Sequence, residues 1–400
     1  MAVLEHRAGT YLKVAGLTWL ALSLLCVALC VFADPYRLFG TPTVEGLTTL
    51  KPRSYQQLVM AQTVQLDRIR PRTLLLGNSR VENGFDPDSA VWPAQMRPVF
   101  NAGLPGHDMF TASRMLDEAL TGGRVKTVIL EADFQDFLTR PTPLDYLPPL
   151  SDGEKRLRVD RAGRRNGTRK WQLLDDSLHS TLTIDALYDS ITTLVRQNSR
   201  FGVTMTPTGF NPLREYELEV RQIGYAGLFA QKTAAYQLQF AHAFHPDFLR
   251  SERTENFRYL QRIISTTGKN GVKLVVFIPP YHARFLDIIH DTGLWQEFEN
   301  WKRALVRVVA NANAANGKRV DIELVDFSGY NSFSEERVPP NGDTHSVMHW
   351  YWEPGHYKST LGDEVLRRLI TRQGQFGERL SPDTIEAALV REDSRTPEVK

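Results

Sequence analysis

Cysteine is scarce in this 400-residue chain: there are two, Cys26 and Cys30, and both fall within one apolar run near the start. The rest of the chain therefore has no disulfide, no thiol nucleophile and no thiolate metal ligand, and its stability must come from a packed core, for which the length suffices. An excess of one charge sign is also missing. Lys and Arg number 48 against 46 Asp and Glu, a net charge of +2, so there is no nucleic-acid signature and no nucleic-acid partner is expected. Apart from the run holding the cysteines, no stretch is long and apolar enough to cross a bilayer, and a mean hydropathy of −0.32 excludes a multi-spanning protein. Internal repeats and low-complexity tracts are absent. What remains is ordinary globular composition, 42% hydrophobic and 24% charged, enough for one large domain or a core with an insertion.

The single apolar run, residues 14–33 (VAGLTWLALSLLCVALCVFA), carries no charge. About 20 residues at 1.5 Å each match a ~30 Å hydrocarbon core. Arg7 and Lys13 precede it and Asp34 follows, which predicts a cytoplasmic amino terminus (1–13) and a periplasmic main domain, anchored in the inner membrane. Val31-Phe32-Ala33 also fits a signal-peptidase site. The run nevertheless exceeds a usual signal core of roughly 7–15 residues, so an uncleaved anchor is expected. Neither cysteine has lipoprotein-signal neighbours.

After a linker and helix at 34–72, strand and helix patterns alternate. Residues 73–76 (TLLL), 98–103, 127–132 (TVILEA), 272–279 and 320–326 read as strands; 109–120, 252–267, 294–315 and 361–370 read as helices, with Asp108 capping the first of these. Strand, helix and strand in this order imply right-handed crossovers and a parallel sheet. Residues 139–246 interrupt the rhythm with Pro-rich turns, a basic stretch at 155–170 and a helix over 182–197. They are expected to form a largely helical insertion serving as a lid or partner surface. The core is thus divided into 73–138 and 247–372, and the polar tail 373–400 is expected to be loosely ordered.

Chemistry concentrates at two places. The first strand ends in Gly77-Asn78-Ser79-Arg80, delivering a serine where open α/β sheets bind ligands. Near the far end, Glu353-Pro354-Gly355-His356 sets a carboxylate three residues before a histidine on a Pro-Gly turn, a spacing that lets the acid orient the imidazole. Ser79 would be the nucleophile, His356 its base and Glu353 the orienting acid.

Together these segments resemble the SGNH/GDSL hydrolase superfamily, whose first block is Gly-Asp-Ser and whose last is Asp-x-x-His; this chain has Asn78 and Glu353 in place of the two Asp residues. The resemblance covers about 73–132 and 272–370. It implies a three-layer, flavodoxin-like parallel-sheet fold, with oxyanion donors from the Ser79 amide, Gly103 and an Asn in a third Gly-x-Asn-Asp block. Here that block reads Glu131-Ala132-Asp133-Phe134, without asparagine, leaving Asn101 or Asn78 as the replacement. A single anchor with an exported catalytic domain is similar to envelope-polysaccharide O-acetyltransferases and esterases of the alginate O-acetylation type. That resemblance implies serine acyl chemistry on an acylated glycan or polysaccharide, with a membrane acyltransferase or exopolysaccharide-assembly complex as partner. The alternative is a catalytically silent member that binds glycan or scaffolds such a complex. No cofactor is expected.

Several other residues compete for roles. Arg80 either enters the cleft to bind an anionic substrate or turns away. His282 and His107 follow strands, where each is a substrate contact or an ordinary loop histidine. Asp343 is an alternative acid for His356. His345 and His349 have a helical metal-ligand spacing, but Pro339-Pro340-Asn341-Gly342 argues for a loop there, so no metal is expected. Trp350, Tyr351, Trp352 and Tyr357 either stack on sugar rings or pack the last helix.

Overall fold

A computed structural model describes residues 2–141, 143, 146–198, 205–248, 254–316 and 321–393. The chain opens with α1 (Ala2–Ala33) and continues through α2 (Leu58–Ile69) into strand β1 (Thr73–Leu76) and the short α3 (Ser79–Gly84). Then come β2 (Val99–Asn101), α4 (Met109–Thr121), β3 (Thr127–Glu131) and α5 (Phe134–Phe137). The interrupting segment supplies α6 (Asp152–Arg156), α7 (Arg169–Leu182), α8 (Ile184–Val195) and the long α9 (Arg214–Ala241). The α/β rhythm resumes with α10 (Glu255–Lys269), β4 (Lys273–Ile278), α11 (Ala283–Asp291), α12 (Trp295–Asn316) and β5 (Glu323–Asp326). A hairpin of β6 (Tyr351–Glu353) and β7 (His356–Tyr357) leads into α13 (Ser359–Thr371), followed by β8 (Glu378–Arg379) and α14 (Ile385–Asp393).

The central sheet has the order β2-β1-β3-β4-β5-β8. The first five strands are parallel, and β8 pairs antiparallel with β5. Alternation along each strand divides the core into two faces. Leu74, Leu76, Val128, Leu130, Leu274 and Val276 join α4, α10 and α12 in one cluster. Leu75, Ile129, Val275 and Phe277 join Val81 of α3, Phe85 just after it, and Leu361 and Val365 of α13 in the other. Helices on both faces are what a buried parallel sheet requires. Replacing a fully buried Leu75 or Phe277 by alanine would cost roughly 2–5 kcal/mol.

Because the chain moves from β1 outward to β2 and then crosses back to β3, the strand order reverses between β1 and β3. Ligands bind outside the carboxyl ends of strands at such a switch point, and the residues after Leu76 and Glu131 lie there.

The interrupting segment works in two directions. α7 and α8 contact α1, whereas α9 contacts α11 and β6. The helix expected over 182–197 is α8, which Thr183 caps by accepting from the Ala186 amide, while α7 just before it had not been expected. The basic stretch is not a free cationic loop. Arg156 makes two 2.7 Å bonds to Asp176, Arg161 pairs with Glu154, and Arg158 and Arg169 pair with Asp67. The tail also differs from expectation: Leu380, Ile385 and Leu389 are buried against the sheet cluster, and Lys302 of α12 holds Glu392 at 2.6 Å. Residues 394–400 lie outside the described residues, as do 199–204, 249–253 and 317–320.

Among the described residues one helix, Gly9–Ala33, is long and apolar enough to span a membrane. Its first part is almost wholly exposed, while Cys30 and Ala33 at its end are buried.

Candidate functional site

The approach to Ser79 is built from β1 outward. A side chain at Gly77 would collide with Val81 and Glu131, so the chain can make its tight exit only with glycine there. Asn78 is extended, and its Oδ1 accepts the Arg80 amide at 2.9 Å, starting α3 in the manner of an N-cap. Asn78 is pinned twice more, its own N–H donating to Glu131 Oε2 at 3.0 Å and its Nδ2 to Asp133 Oδ2 at 2.6 Å. Ser79 is thereby fixed as the first residue of α3, where its amide belongs to the turn whose N–H groups have no partner inside the helix.

The β6–β7 hairpin brings the opposing groups. His356 Nε2 lies 2.8 Å from Ser79 Oγ, across 277 residues of sequence. On the other side of the ring, His356 Nδ1 pairs with Glu353 Oε1. Glu353 is fully buried, accepting the Gly355 amide at 2.9 Å and the Tyr236 hydroxyl at 3.2 Å. Burial alone would raise its pKa, but the charge and hydrogen bond of His356, the Gly355 amide and the nearby Arg80 together hold it below the ordinary value. With Nδ1–H donating to this carboxylate, Nε2 is left as the acceptor facing the serine hydroxyl. Gly355 has a packing reason as well: a side chain there would strike Tyr236 of α9. The geometry matches a nucleophile, base and orienting acid in series.

The other residues singled out in the sequence have different placements. The amide of Gly103 donates to Asn101 Oδ1 at 3.0 Å, and Asn101 Nδ2 donates to Val81 O at 2.7 Å and Phe85 O at 2.8 Å. Fully buried Asn101 is therefore a clamp between β2 and α3 rather than an oxyanion donor, and the Gly103 amide is committed to it. The Asn78 side chain is likewise spent on capping and on Asp133. Arg80 turns away from the cleft: it is 3% exposed, pairs with Asp133 and lies over the rings of Tyr281 and Phe285.

His282 is a structural residue. Its Nδ1 accepts the Arg284 amide at 3.0 Å, which makes Nε2 the N–H that donates to Glu336 O at 2.9 Å, and burial depresses its pKa. Its backbone N–H donates to Pro354 O at 3.2 Å, so it braces the turn carrying Glu353 and His356. Asp343 does not reach His356, its carboxylate being occupied by the His345 and Ser346 amides and the Ser346 hydroxyl. His107 bonds to Pro105 O at 2.8 Å. His345 and His349 lie in irregular chain, so their spacing does not place them on one helix face. Tyr351 and Tyr357 are fully buried core residues, whereas Trp352 is partly exposed.

Sequence reasoning missed the floor of the site. Asp133 receives Arg80, the Asn78 amide and the Tyr281 hydroxyl at 2.7 Å, with Glu131 and Asp136 beside it. Burial, reinforced by Asp133, pushes Glu131 up to about 8 and Asp136 well above the carboxylate range. The same neighbours raise Arg80 against the opposing effect of burial. The available signal was three acidic residues, Glu131, Asp133 and Asp136, at the end of an apolar strand. Tyr236 was invisible because it reaches Glu353 across 117 residues.

Beside the hairpin lies a cleft of about 620 Å³, lined by Tyr225, Arg221, His345, Trp352 and Lys358 among others. Lys358 Nζ sits 4.2 Å from the Trp352 ring centre. No known family profile matches the chain, and no curated protein is detectably similar to it.

Proposed function

We propose that this chain is a membrane-anchored, periplasmic serine esterase or O-acyltransferase of the SGNH type, acting on an acylated cell-envelope or extracellular polysaccharide. The observation that carries the reading is the unbroken series Ser79 Oγ, His356 imidazole and Glu353 carboxylate, with 2.8 Å between serine and base. In this reading Ser79 Oγ attacks the acyl carbonyl while its proton passes to His356 Nε2, and Glu353 stabilises the resulting imidazolium. Collapse of the tetrahedral adduct breaks the ester bond, and His356 returns the proton to the departing sugar oxygen. The acyl-Ser79 is then attacked by water or by another sugar hydroxyl, with His356 again taking the proton. The Ser79 amide faces no competing helical acceptor and is the natural donor to the oxyanion.

A glycan reading draws on the cleft beside the hairpin, whose wall includes the partly exposed Trp352, an aromatic surface of the kind that packs against sugar rings. In this reading, an anchor through α1 keeps the domain near envelope polymers and near a membrane partner that supplies the acyl group.

A second reading has its own observation. Asn101 and the Gly103 amide are committed to each other and to α3, and 131–134 contain no asparagine, so only one oxyanion donor is readily found. Loss of one such donor typically costs roughly 10²–10³ in kcat, which favours a silent glycan-binding or scaffold protein. Labelling of the full-length protein with a fluorophosphonate, beside Ser79→Ala and His356→Ala, separates the two. Labelling that vanishes in both variants supports the enzyme. Absence of labelling in the folded wild-type protein overturns it in favour of the binder.

A further inference from the structure

The two helices that contact α1 each leave an apolar stripe uncovered. On α7 the stripe is Trp171, Leu174, Leu178 and Leu182, with Trp171 74% exposed. On α8 it is Ile184, Tyr188, Ile191 and Val195, with Ile184 86% exposed. Both sets follow the three- and four-residue spacing of one helix face. Their opposite faces are the ones that pack inward: Asp176 and Ser180 of α7 and Ala186, Asp189 and Ser190 of α8 are buried. Eight large apolar side chains turned outward on consecutive helices are not a packing defect of the core, since the polar face is the one inside.

We infer that α7 and α8 lie in the headgroup and acyl boundary of the bilayer that α1 crosses, seating the domain on the membrane through a second, interfacial contact. This rests on the reading of α1 as the anchor. The occupant follows from continuity with that helix. Cys30 of α1 packs with Ala186 of α8, and Tyr36, just beyond the span, donates to Asp189 of α8 at 2.7 Å. The 25 residues Gly9–Ala33 run about 37 Å, longer than a ~30 Å hydrocarbon core. The partly covered part of α1, from Cys26 to Ala33 with Ala28 and Phe32 still exposed, is about 12 Å long. It therefore straddles the outer edge of the core, at the depth where amphipathic helices bury their apolar faces by roughly 5–10 Å.

The flanking chemistry agrees. Exposed Lys170 precedes Trp171, and exposed Arg196 follows Val195, so cations bracket the stripes as they do for helices lying on anionic lipid. Trp171 and Tyr188 are the residue types that favour the boundary. The linker is drawn to the same edge, since Gln197 after α8 exchanges hydrogen bonds with both backbone groups of Leu50.

The test uses the full chain with Cys26→Ser and Cys30→Ala, reconstituted into phosphatidylcholine and phosphatidylglycerol vesicles. A nitroxide is attached at Leu20→Cys, Leu178→Cys, Ile191→Cys or Val390→Cys, and collisions with oxygen and with a water-soluble nickel chelate are compared. Leu20 reports the anchor and Val390, 68% exposed on α14, the aqueous phase. The expected result is that Leu178 and Ile191 resemble Leu20, favouring oxygen over nickel. If Leu20 favours oxygen while Leu178 and Ile191 resemble Val390, the interfacial contact is overturned and the anchor stands. Protection of Leu178 and Ile191 from both reagents means that a second copy of the chain covers them, which also overturns it. If Leu20 itself resembles Val390, the anchor fails and this inference fails with it.

Discussion

Glu353→Gln should disable the site through the tautomer of His356 rather than through its position. The wild-type carboxylate has distinct duties for its two oxygens: Oε2 accepts the Gly355 amide at 2.9 Å, and Oε1 faces His356 Nδ1. A glutamine must keep an oxygen toward Gly355, because its own NH₂ there would meet another donor. That orientation turns the NH₂ toward Nδ1, making Nδ1 the acceptor and placing the ring proton on Nε2. The imidazole then donates to Ser79 Oγ and cannot take its proton. Defects of this kind in serine relays reach about 10⁴ in kcat, or about 5 kcal/mol at 1.36 kcal/mol per tenfold. The assay is the rate of fluorophosphonate labelling of the full chain, followed by hydrolysis of an activated acetyl ester. A thermal melt should show little change, since the isosteric side chain retains its bond to Gly355. Labelling by Glu353→Gln within tenfold of wild type would refute the assignment of Glu353 as orienting acid.

Two further outcomes follow from the buried charges near Ser79. Arg80→Met leaves Asp133 buried without its cation and should cost roughly 3–5 kcal/mol in a urea titration, with Arg80→Met/Asp133→Asn recovering a large part; equal losses in the single and double variants would contradict the pairing. Glu82 is fully buried beside Glu215, and burial pushes its pKa up to about 8. The folded state holds that proton more tightly than the unfolded chain, so stability is highest below about pH 4.5 from this group and falls as pH rises towards 8. Glu82→Gln should flatten that slope, gaining roughly 1–3 kcal/mol at pH 9 and little at pH 5; an unchanged slope between pH 5 and 9 would sink the claim.

The readable parts were those whose signal is local. Thr73 to Leu76 is a compact apolar run with nowhere to go but a buried strand, and Asp108 announces its helix by side-chain chemistry alone. The three residues of the relay were legible because serine after Gly-Asn and histidine after Glu-Pro-Gly are local patterns that topology then had only to bring together. Arg80 was not, since the direction of its side chain depends on Asp133 and Tyr281, from the segments that follow two other strands. Asn101 and Gly103 were misjudged for the same reason: their donors are consumed by each other and by carbonyls of α3. The tail was read as polar because its apolar residues are scattered among many charges. Leu380, Ile385 and Leu389 nevertheless face the core, and Lys302 neutralises Glu392 there. The apolar stripes of α7 and α8 show the converse: ordinary amphipathic spacing does not say which side faces inward, and here the polar side does.

The hairpin that carries both acid and base also has a temporal consequence. All five parallel strands are present once the chain has been made through Asp326, and Ser79 stands at its post from β1 onward. In the proposed relay its base arrives only with residues 351–357, made after all of those strands. A growing polypeptide can therefore assemble most of its architecture while its hydroxyl remains inert. On the proposed function, reactivity would switch on only when that hairpin closes over α3, after the sheet that positions Ser79 is complete.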